Sequence, residues 1–161
     1  MSAAAATLAP NGIGLRHLFE LRAQVGAPIT AHAAAWGTRR VIPVLGGRFE
    51  GDRLSGSIEP GGADHQLIRP DGVAELDVRL ALTTDDGAKL YMSVQGLRAA
   101  SPEVTARIAA GEDVDPALYY FREALRFETS SAAHAWLNQR LFLATGERRP
   151  THVGLSVYEV L

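Results

Sequence analysis

The 161-residue chain has the hydrophobic content (47%) and charged content (21%) of an ordinary globular domain. Its formal net charge of −2 provides no basic surface for nucleic acid or an anionic membrane, so we expect neither as a partner. The absence of cysteine excludes disulfides, thiol catalysis and thiolate metal sites, and it favours a cytoplasmic location.

The segment from Met1 to Gly12 is rich in alanine and lacks the basic and apolar parts of a signal peptide. We interpret it as a disordered leader and assign residues 13–161 to a single domain. No stretch of the chain is long and apolar enough to be expected to span a membrane.

The first part of the domain predicts strands separated by glycine and proline. Leu15 to Val25 alternates between two faces and is interpreted as a strand, which Gly26-Ala27-Pro28 interrupts. Arg39 to Leu45 is rich in β-forming residues, but Pro43 in its middle indicates an edge strand or a bulge. Gly46-Gly47 then marks either a turn or a close approach of two backbones.

Turn signals continue through the middle of the chain. Gly51-Asp52 predicts a hairpin between two short strands. Two further turns, Pro60-Gly61-Gly62 and Pro70-Asp71-Gly72, bracket a strand from Asp64 to Arg69. This strand begins with three consecutive polar residues, which a single alanine, Ala63, separates from the double glycine.

The next two strands form the clearest predicted hairpin. Val73 to Thr83 and Lys89 to Arg98 both alternate between apolar and polar residues, and Asp85-Asp86-Gly87 joins them with a tight-turn sequence. The two strands should therefore pair with polar face beside polar face.

Helix signals are confined to the second half. Ser101 is a suitable N-cap, Pro102 suits the first helical position, and Gly111 ends the helix. The remaining predicted elements are a strand from Tyr119 to Thr129, a short helix from Ser130 to Asn138, and closing strands from Gln139 to Thr145 and from His152 to Val160.

These elements amount to about eight to ten strands with one or two short helices. Turns recur without any alternation of strand and helix, which predicts an all-β barrel or sandwich. A closed antiparallel β-barrel is the favoured fold class, because closure removes the costly edges of long strands.

Two interpretations of the polar face of the hairpin remain open. The face either points to water, or it points into the barrel mouth, where a buried carboxylate beside arginine and tyrosine would bind a polar ligand and shift proton affinities. Its residues are Glu75, Asp77, Arg79, Lys89, Tyr91 and Ser93.

Asp64, His65 and Gln66 also have two interpretations. His65 between polar neighbours is consistent with a general base, whereas a turn-stabilising aspartate and a solvent-facing histidine would carry no chemistry. Further along, aromatic and charged residues mix from Tyr119 to Arg122, and they suit a ligand cavity or ordinary core packing equally.

Signals for a metal or a cofactor are missing, and we predict neither. The five histidines are scattered without paired spacing. The double glycines lack the pattern of a phosphate-binding loop, and no Gly-x-Ser-x-Gly motif for a nucleophilic serine is present.

Several short motifs together resemble the family called domain of unknown function 3237, also known as uncharacterised protein family 0311. In chain order they are Gly46-Gly47-Arg48-Phe49-Glu50-Gly51, Pro60-Gly61-Gly62-Ala63-Asp64-x-Gln66, Leu76-Asp77-Val78-Arg79, Thr84-Asp85-Asp86-Gly87-Ala88, Phe127-Glu128-Thr129, Trp136-Leu137-Asn138 and Gly146-Glu147-Arg148-Arg149. The resemblance covers about Leu15 to Leu161.

The resemblance implies a compact β-barrel of bacterial and fungal proteins, and it strengthens the interpretation that the polar face is internal. His65 departs from the aromatic residue usual in the family, and His134 from a tyrosine, so His65 is not expected to be a family-wide catalyst. The family's recurring polar positions here are Asp64, Gln66, Asp77, Arg79, Tyr91, Arg98, Arg122, Glu128 and Asn138.

Our leading hypothesis is a barrel that holds a small, partly apolar metabolite and performs cofactor-free isomerisation, cyclisation or elimination next to a carbonyl. Asp64 or Asp77, with His65, would be the catalytic base. Two alternatives remain: a non-catalytic carrier or sensor barrel for a hydrophobic metabolite, and an oligomerising structural protein.

Arg79, Tyr91 or Tyr120 would stabilise the developing negative charge. The remaining predicted binding residues are Gln66, Arg98, Arg122, Glu128 and Asn138. If the polar face is internal, the apolar face of Leu76 to Leu82 must be covered from outside, so we also expect a homodimer or a larger homo-oligomer.

Overall fold

The computed structural model describes residues 12–161, so nearly all of the predicted leader, Met1 to Gly12, lies outside the described residues. The described part contains ten strands and one α-helix, together with two short 3-10 turns. The strands are β1 (Leu15–Val25), β2 (Ile29–Ala34), β3 (Gly37–Glu50), β4 (Gly56–Ile58), β5 (Ala63–Ile68), β6 (Ala74–Thr84), β7 (Lys89–Ala99), β8 (Tyr120–Glu128), β9 (Phe142–Arg148) and β10 (His152–Val160); helix α1 is Pro102–Ala109, and the 3-10 turns are Pro116–Leu118 and Ala132–Gln139.

The strands close into an antiparallel barrel, which confirms the predicted fold class. Around the barrel the order is β1, β10, β9, β8, β7, β6, β4 and β3, and β3 returns to β1 through pairs such as Leu21 with Phe49. Two further strands lie beside this ring: β5 bridges β3 and β6 beyond the end of β4, and β2 extends from β3 where β1 stops. Every strand pair is antiparallel.

The double glycine lies inside the long strand β3 and forms no turn. Gly47 has a φ of 144°, and a Cβ there would lie 2.1 Å from the backbone oxygen of Arg22 in β1. Of the two predicted alternatives, the close backbone approach is therefore the one found. It allows β1 and β3 to meet and to close the barrel.

Local signals set the other boundaries as predicted. The Asp85-Asp86-Gly87 turn joins β6 to β7, with the Thr84 amide donating to the Ala88 carbonyl at 2.9 Å. Ser101 caps α1 by accepting from the amide of Val104 at 3.2 Å. The predicted short helix at Ser130 to Asn138 is a 3-10 turn.

Strands β6 and β7 turn their apolar faces inward, so the expectation of an internal polar face is corrected. Leu80, Leu82 and Met92 are at most 3% exposed, whereas Asp77 and Arg79 lie on the outer surface and form an ion pair there. Apolar area buried in the lumen outweighs any gain from enclosing those charges. The premise for a covering subunit is thereby removed, and the homo-oligomer stays a prediction.

One end of the barrel is filled by aromatic side chains. Phe19 packs against Phe49 with ring centroids 5.1 Å apart, and Phe127 meets Phe142 edge-on at 4.9 Å. Arg53 lies over the Trp136 ring at 4.1 Å and closes this end from outside. We call it the closed end; the opposite end carries the chamber described below.

Among residues 12–161, no helix has the length and apolar character required to cross a membrane.

Candidate functional site: a polar chamber at the open end of the barrel

Opposite the closed end, the barrel contains a chamber of about 70 Å³ that opens to a mouth of about 260 Å³. Aliphatic side chains such as Leu21, Val44 and Val94 line most of the chamber. Its polar lining consists of Asp64, Gln66, Arg98, Glu123 and Arg148. An apolar cavity with a few convergent polar groups is the usual form of a small-molecule site.

Glu123 is a buried acid on an otherwise apolar strand face. Phe121, Glu123 and Leu125 alternate inward along β8, and Glu123 is only 5% exposed. Gly96, its cross-strand partner in β7, makes room for it, because a Cβ there would lie 2.5 Å from the Glu123 Cγ. The Glu123 side chain therefore occupies space that any side chain at position 96 would take, which is why position 96 is a glycine.

Glu123 is held in an environment that favours its protonated form. Its Oε2 atom is buried and has no hydrogen-bond partner among residues 12–161. Burial, and to a smaller extent the charge of Asp64, raises the pKa of Glu123 to about 8. At neutral pH this side chain is consequently a proton donor.

Asp64 is the second carboxyl group of the chamber, and its surroundings differ. Its Oδ1 accepts from the Asp77 backbone amide at 3.0 Å, and its Oδ2 accepts from Gln66 Nε2 at 3.1 Å. Burial raises the pKa of Asp64, while these hydrogen bonds and the nearby Arg98 act against that increase. Because both of its oxygens accept hydrogen bonds, the ionised form is the better satisfied one.

The β5–β6 ladder opens to allow this arrangement. Backbone pairs join Asp64 to Val78 and Leu67 to Glu75, but His65 and Gln66 between them pair with β3 and have no partner in β6. The carboxylate of Asp64 takes the Asp77 amide that this gap leaves free. The gap thus fixes the orientation of the acid by a backbone contact.

Three arginines converge above the two acids. Arg98 and Arg148 line both the chamber and the mouth, and Arg40 lines the mouth and donates a short hydrogen bond to the Gln66 Oε1. The guanidinium of Arg148 donates to backbone carbonyls of its own loop, including that of His152 at 3.4 Å. In the described part of the chain, none of the three forms an ion pair with a carboxylate.

The three guanidiniums repel one another. Burial first, and then the charges of Arg148 and Arg40, lowers the pKa of Arg98. Burial and the charge of Arg40 likewise lower the pKa of Arg148. The Tyr119 hydroxyl accepts from the Arg148 backbone amide at 2.8 Å and holds that residue at the mouth.

Of the residues predicted from the sequence, the structure brings Asp64, Gln66 and Arg98 together in the chamber. The predicted base His65 is exposed, and its side chain shares an outer groove with Asp77. The other predicted residues, whose roles stay predictions, are also on the outside of the barrel: Arg79, Tyr91, Tyr120, Arg122, Glu128 and Asn138.

Tyr119 belongs to the aromatic stretch for which a ligand cavity and core packing were both left open. The residues that sequence reasoning missed are Arg40, Glu123 and Arg148. They share a signal, since each is a lone charged residue on a strand face whose other members are apolar or small. The faces are Arg40-Ile42-Val44, Phe121-Glu123-Leu125-Phe127 and Phe142-Ala144-Gly146-Arg148.

No group of three or more histidine, aspartate or glutamate side chains suited to a metal ion occurs within residues 12–161.

The fold and the chamber together define a class: a closed antiparallel barrel with a small, mostly aliphatic chamber at one end that holds a few convergent polar groups. The chain belongs to the protein family of unknown function DUF3237, which matches residues 13–160. A UPF0311 protein of Rhodopseudomonas palustris (strain TIE-1) is 40% identical over 146 residues, covering 91% of this chain and 95% of that protein.

Solved structures share the whole architecture. A conserved protein of unknown function from Rhodopseudomonas palustris has a TM-score of 0.90 at 38% identity, covering 92% of this chain and 98% of that one. A β-barrel-like protein from Acinetobacter baumannii AYE has a TM-score of 0.83 at 37% identity, covering 96% and 100% respectively. An enzyme from Penicillium herquei, at 20% identity, has a TM-score of 0.72 with 96% and 99% coverage, a likeness of fold alone.

Proposed function

We propose that the barrel binds a small, partly apolar organic molecule in its chamber and performs cofactor-free acid–base chemistry next to a carbonyl group of that molecule. The observation that carries the proposal is the pair of buried carboxyl groups, Asp64 and Glu123, in a largely aliphatic chamber. Two such groups with different surroundings are the arrangement that assigns one acid and one base.

Asp64 is the general base in this proposal. Its carboxylate is oriented by two hydrogen bonds, and burial makes it more basic than an exposed aspartate. Glu123 is the general acid, because it retains its proton at neutral pH. Arg98, which lies near Asp64, faces the negative charge that develops on the carbonyl oxygen.

The chemical step is a proton transfer that balances without a co-reactant. Asp64 takes a proton from the carbon next to the carbonyl, and the electrons of that C–H bond form a double bond to the carbonyl carbon. The C=O electron pair takes the proton of Glu123 at the oxygen, which yields the enol, an isomer of the substrate. Water at the mouth returns the proton from Asp64 to Glu123.

The Penicillium herquei neighbour is described as an enzyme, so catalysis is one use of this fold. That likeness is an analogy at the level of the fold, and the proposal depends on the two carboxyl groups of this chain.

The test is exchange of hydrogen for deuterium in D₂O, followed by mass spectrometry of cyclohexanone, 2-tetralone and phenylpyruvate. We expect at least one probe to exchange faster with the protein than in buffer. The rate should fall by about a hundredfold in Asp64→Asn and in Glu123→Gln, as is typical for loss of a general base or acid. Asp77→Asn is the matched control, because that carboxylate lies on the outer surface.

Exchange that persists in both chamber variants would contradict the assignment of acid and base. Loss of exchange in Asp77→Asn alone would move the chemistry to the outer groove that holds His65. A probe that binds without any exchange would instead favour a carrier or sensor barrel.

A further inference from the structure

At the open end, the positively charged side chains line the mouth and the acidic side chains line the chamber below it. In the lining of the mouth, within residues 12–161, the charged side chains are Arg40, Arg98 and Arg148, and no carboxylate accompanies them. The two acids, Asp64 and Glu123, lie deeper, in the chamber. A molecule that enters therefore meets three positive groups before it reaches an acid.

We infer that Arg40, Arg98 and Arg148 bind the carboxylate group of a small organic acid. The inference deepens the proposed function, since it uses the same chamber and names a substrate class for it. It does not require that Asp64 or Glu123 catalyse a reaction, so it also holds for a carrier.

An anion is favoured because no carboxylate lines the mouth beside these guanidiniums; the acid whose charge acts on Arg98, Asp64, lies in the chamber below. Exposed arginines elsewhere on the barrel are solvated, but Arg98 and Arg148 are half-buried and line an apolar cavity. Enclosing several like charges is costly unless an opposite charge joins them. In addition, the Nε atom of Arg40 is buried and has no partner among the described residues. A bound oxyanion would satisfy that donor.

The surroundings favour a singly charged carboxylate over a phosphate. Phosphate sites commonly use backbone amides at a helix N-terminus. Here the last turn of α1 lines the mouth with Ile108 and Ala109, so the negative end of the helix dipole faces the ligand. A planar carboxylate matches the guanidinium fork and adds less charge beside those carbonyls.

The rest of the ligand is apolar. Ile42, Ile68, Ala100 and Ile108 form the walls of the mouth around the arginines, and the chamber below is aliphatic. A short alkyl chain or a single ring attached to the carboxylate would bury its surface against these walls.

The experiment compares 3-phenylpropanoate with its uncharged isostere 3-phenylpropanamide by isothermal titration calorimetry at pH 7. We expect the carboxylate to bind at least about tenfold more tightly, as for one charge-assisted contact. Arg40→Met, Arg98→Met and Arg148→Met should each reduce this preference about tenfold. The control Arg39→Met should not, because Arg39 points out of the barrel and donates to the His65 carbonyl at 2.7 Å.

Arg148→Lys, with thermal unfolding of each variant, provides the check on folding. It keeps a positive charge at the mouth and should retain part of the carboxylate preference. Equal affinity for the two probes, no binding of either probe, or an unchanged preference in the three arginine-to-methionine variants of the mouth would overturn the inference. Tighter binding of phenyl phosphate than of the carboxylate would also overturn it.

The two proposals fail separately. A carboxylate preference that survives in Asp64→Asn and Glu123→Gln, together with lost deuterium exchange, is the expected pattern. A preference without any exchange in the wild type would remove the catalytic proposal and leave the anion site.

Discussion

Two buried glutamates lie at opposite ends of this barrel, and their surroundings are opposite in kind. At the closed end, Glu159 is 3% exposed and is contacted by three arginines: Arg53 at 2.7 Å, Arg140 at 3.5 Å and Arg16 at 3.9 Å. At the open end, Glu123 is 5% exposed and has an oxygen without a partner in residues 12–161. The two glutamates are therefore about equally buried, but Glu159 is paired with arginines and Glu123 Oε2 has no hydrogen-bond partner in the described residues.

The difference separates structural charge from functional charge. A buried carboxylate surrounded by arginines belongs to the closure of the barrel, because each group satisfies the other. A buried carboxyl without a partner costs stability, as do half-buried arginines that form no ion pair. The open end holds both kinds of unsatisfied group within one chamber, which is the property of a site that awaits a ligand.

The largest expected effect is on the pH dependence of stability at the open end. Because the folded-state pKa of Glu123 is about 8 and the unfolded value is ordinary, the folded protein binds more protons between these values. The free energy of unfolding should therefore fall as pH rises from about 5 to 8, by up to about 1.4 kcal/mol per pH unit from this group. Glu123→Gln should remove that slope in urea unfolding.

Glu128→Gln is the matched control, since Glu128 lies on the same strand and is exposed. It should keep the wild-type slope. Parallel pH profiles for wild type and Glu123→Gln would show that Glu123 is ionised in the folded protein and would remove the contrast between the two ends.

At the closed end, by contrast, removing the carboxylate charge should destabilise the protein. Glu159→Gln leaves Arg53, Arg140 and Arg16 without their shared carboxylate, and should reduce the free energy of unfolding by about 2 kcal/mol at pH 7, as for the loss of a hydrogen bond to a charged group. Denaturant unfolding measures this change. Glu50→Gln, which loses only an exposed pair with Arg48, should change stability by less than about 0.5 kcal/mol. An equally small effect at Glu159 would mean that its ion pairs do not close the barrel.

Smaller changes in the free energy of unfolding are expected when one arginine from each end is replaced. Arg98→Met removes a half-buried cation that forms no ion pair within residues 12–161, and should raise the free energy of unfolding of the ligand-free protein by about 1 kcal/mol. Arg53→Met removes the 2.7 Å contact to Glu159 and should lower it by about 1 kcal/mol. Thermal unfolding of both variants gives the signs, and changes of the same sign would contradict the comparison.

Strand positions could be predicted from the sequence because alternation and turn residues are local signals. The Asp85-Asp86-Gly87 hairpin and the Ser101 cap were recovered in this way. Gly46-Gly47 could not be resolved locally, since a turn and a close approach use the same residue for the same conformational freedom. The β1 backbone that settles the choice is distant in the sequence.

The site was harder to predict, because the side of a strand that faces the lumen depends on the whole barrel. Alternation separates Asp77 from Leu76 but does not say which of them is inside; burial of the apolar set decides it. The convergence of Arg40, Glu123 and Arg148 depends on the register of β3, β8 and β9, and β3 is far from the other two in the chain. A search for single charged residues on apolar strand faces would have found all three.

The pairing of β1 with β10 has a consequence for folding during synthesis. Leu15 lies opposite Val160, so the barrel can close only after the last strand has been synthesised. A ribosome delivers these partners far apart in time, and the strands made between them expose their lumen faces meanwhile. High contact order of this kind slows folding, and a nascent chain arrested before β10 is the species that a chaperone would meet.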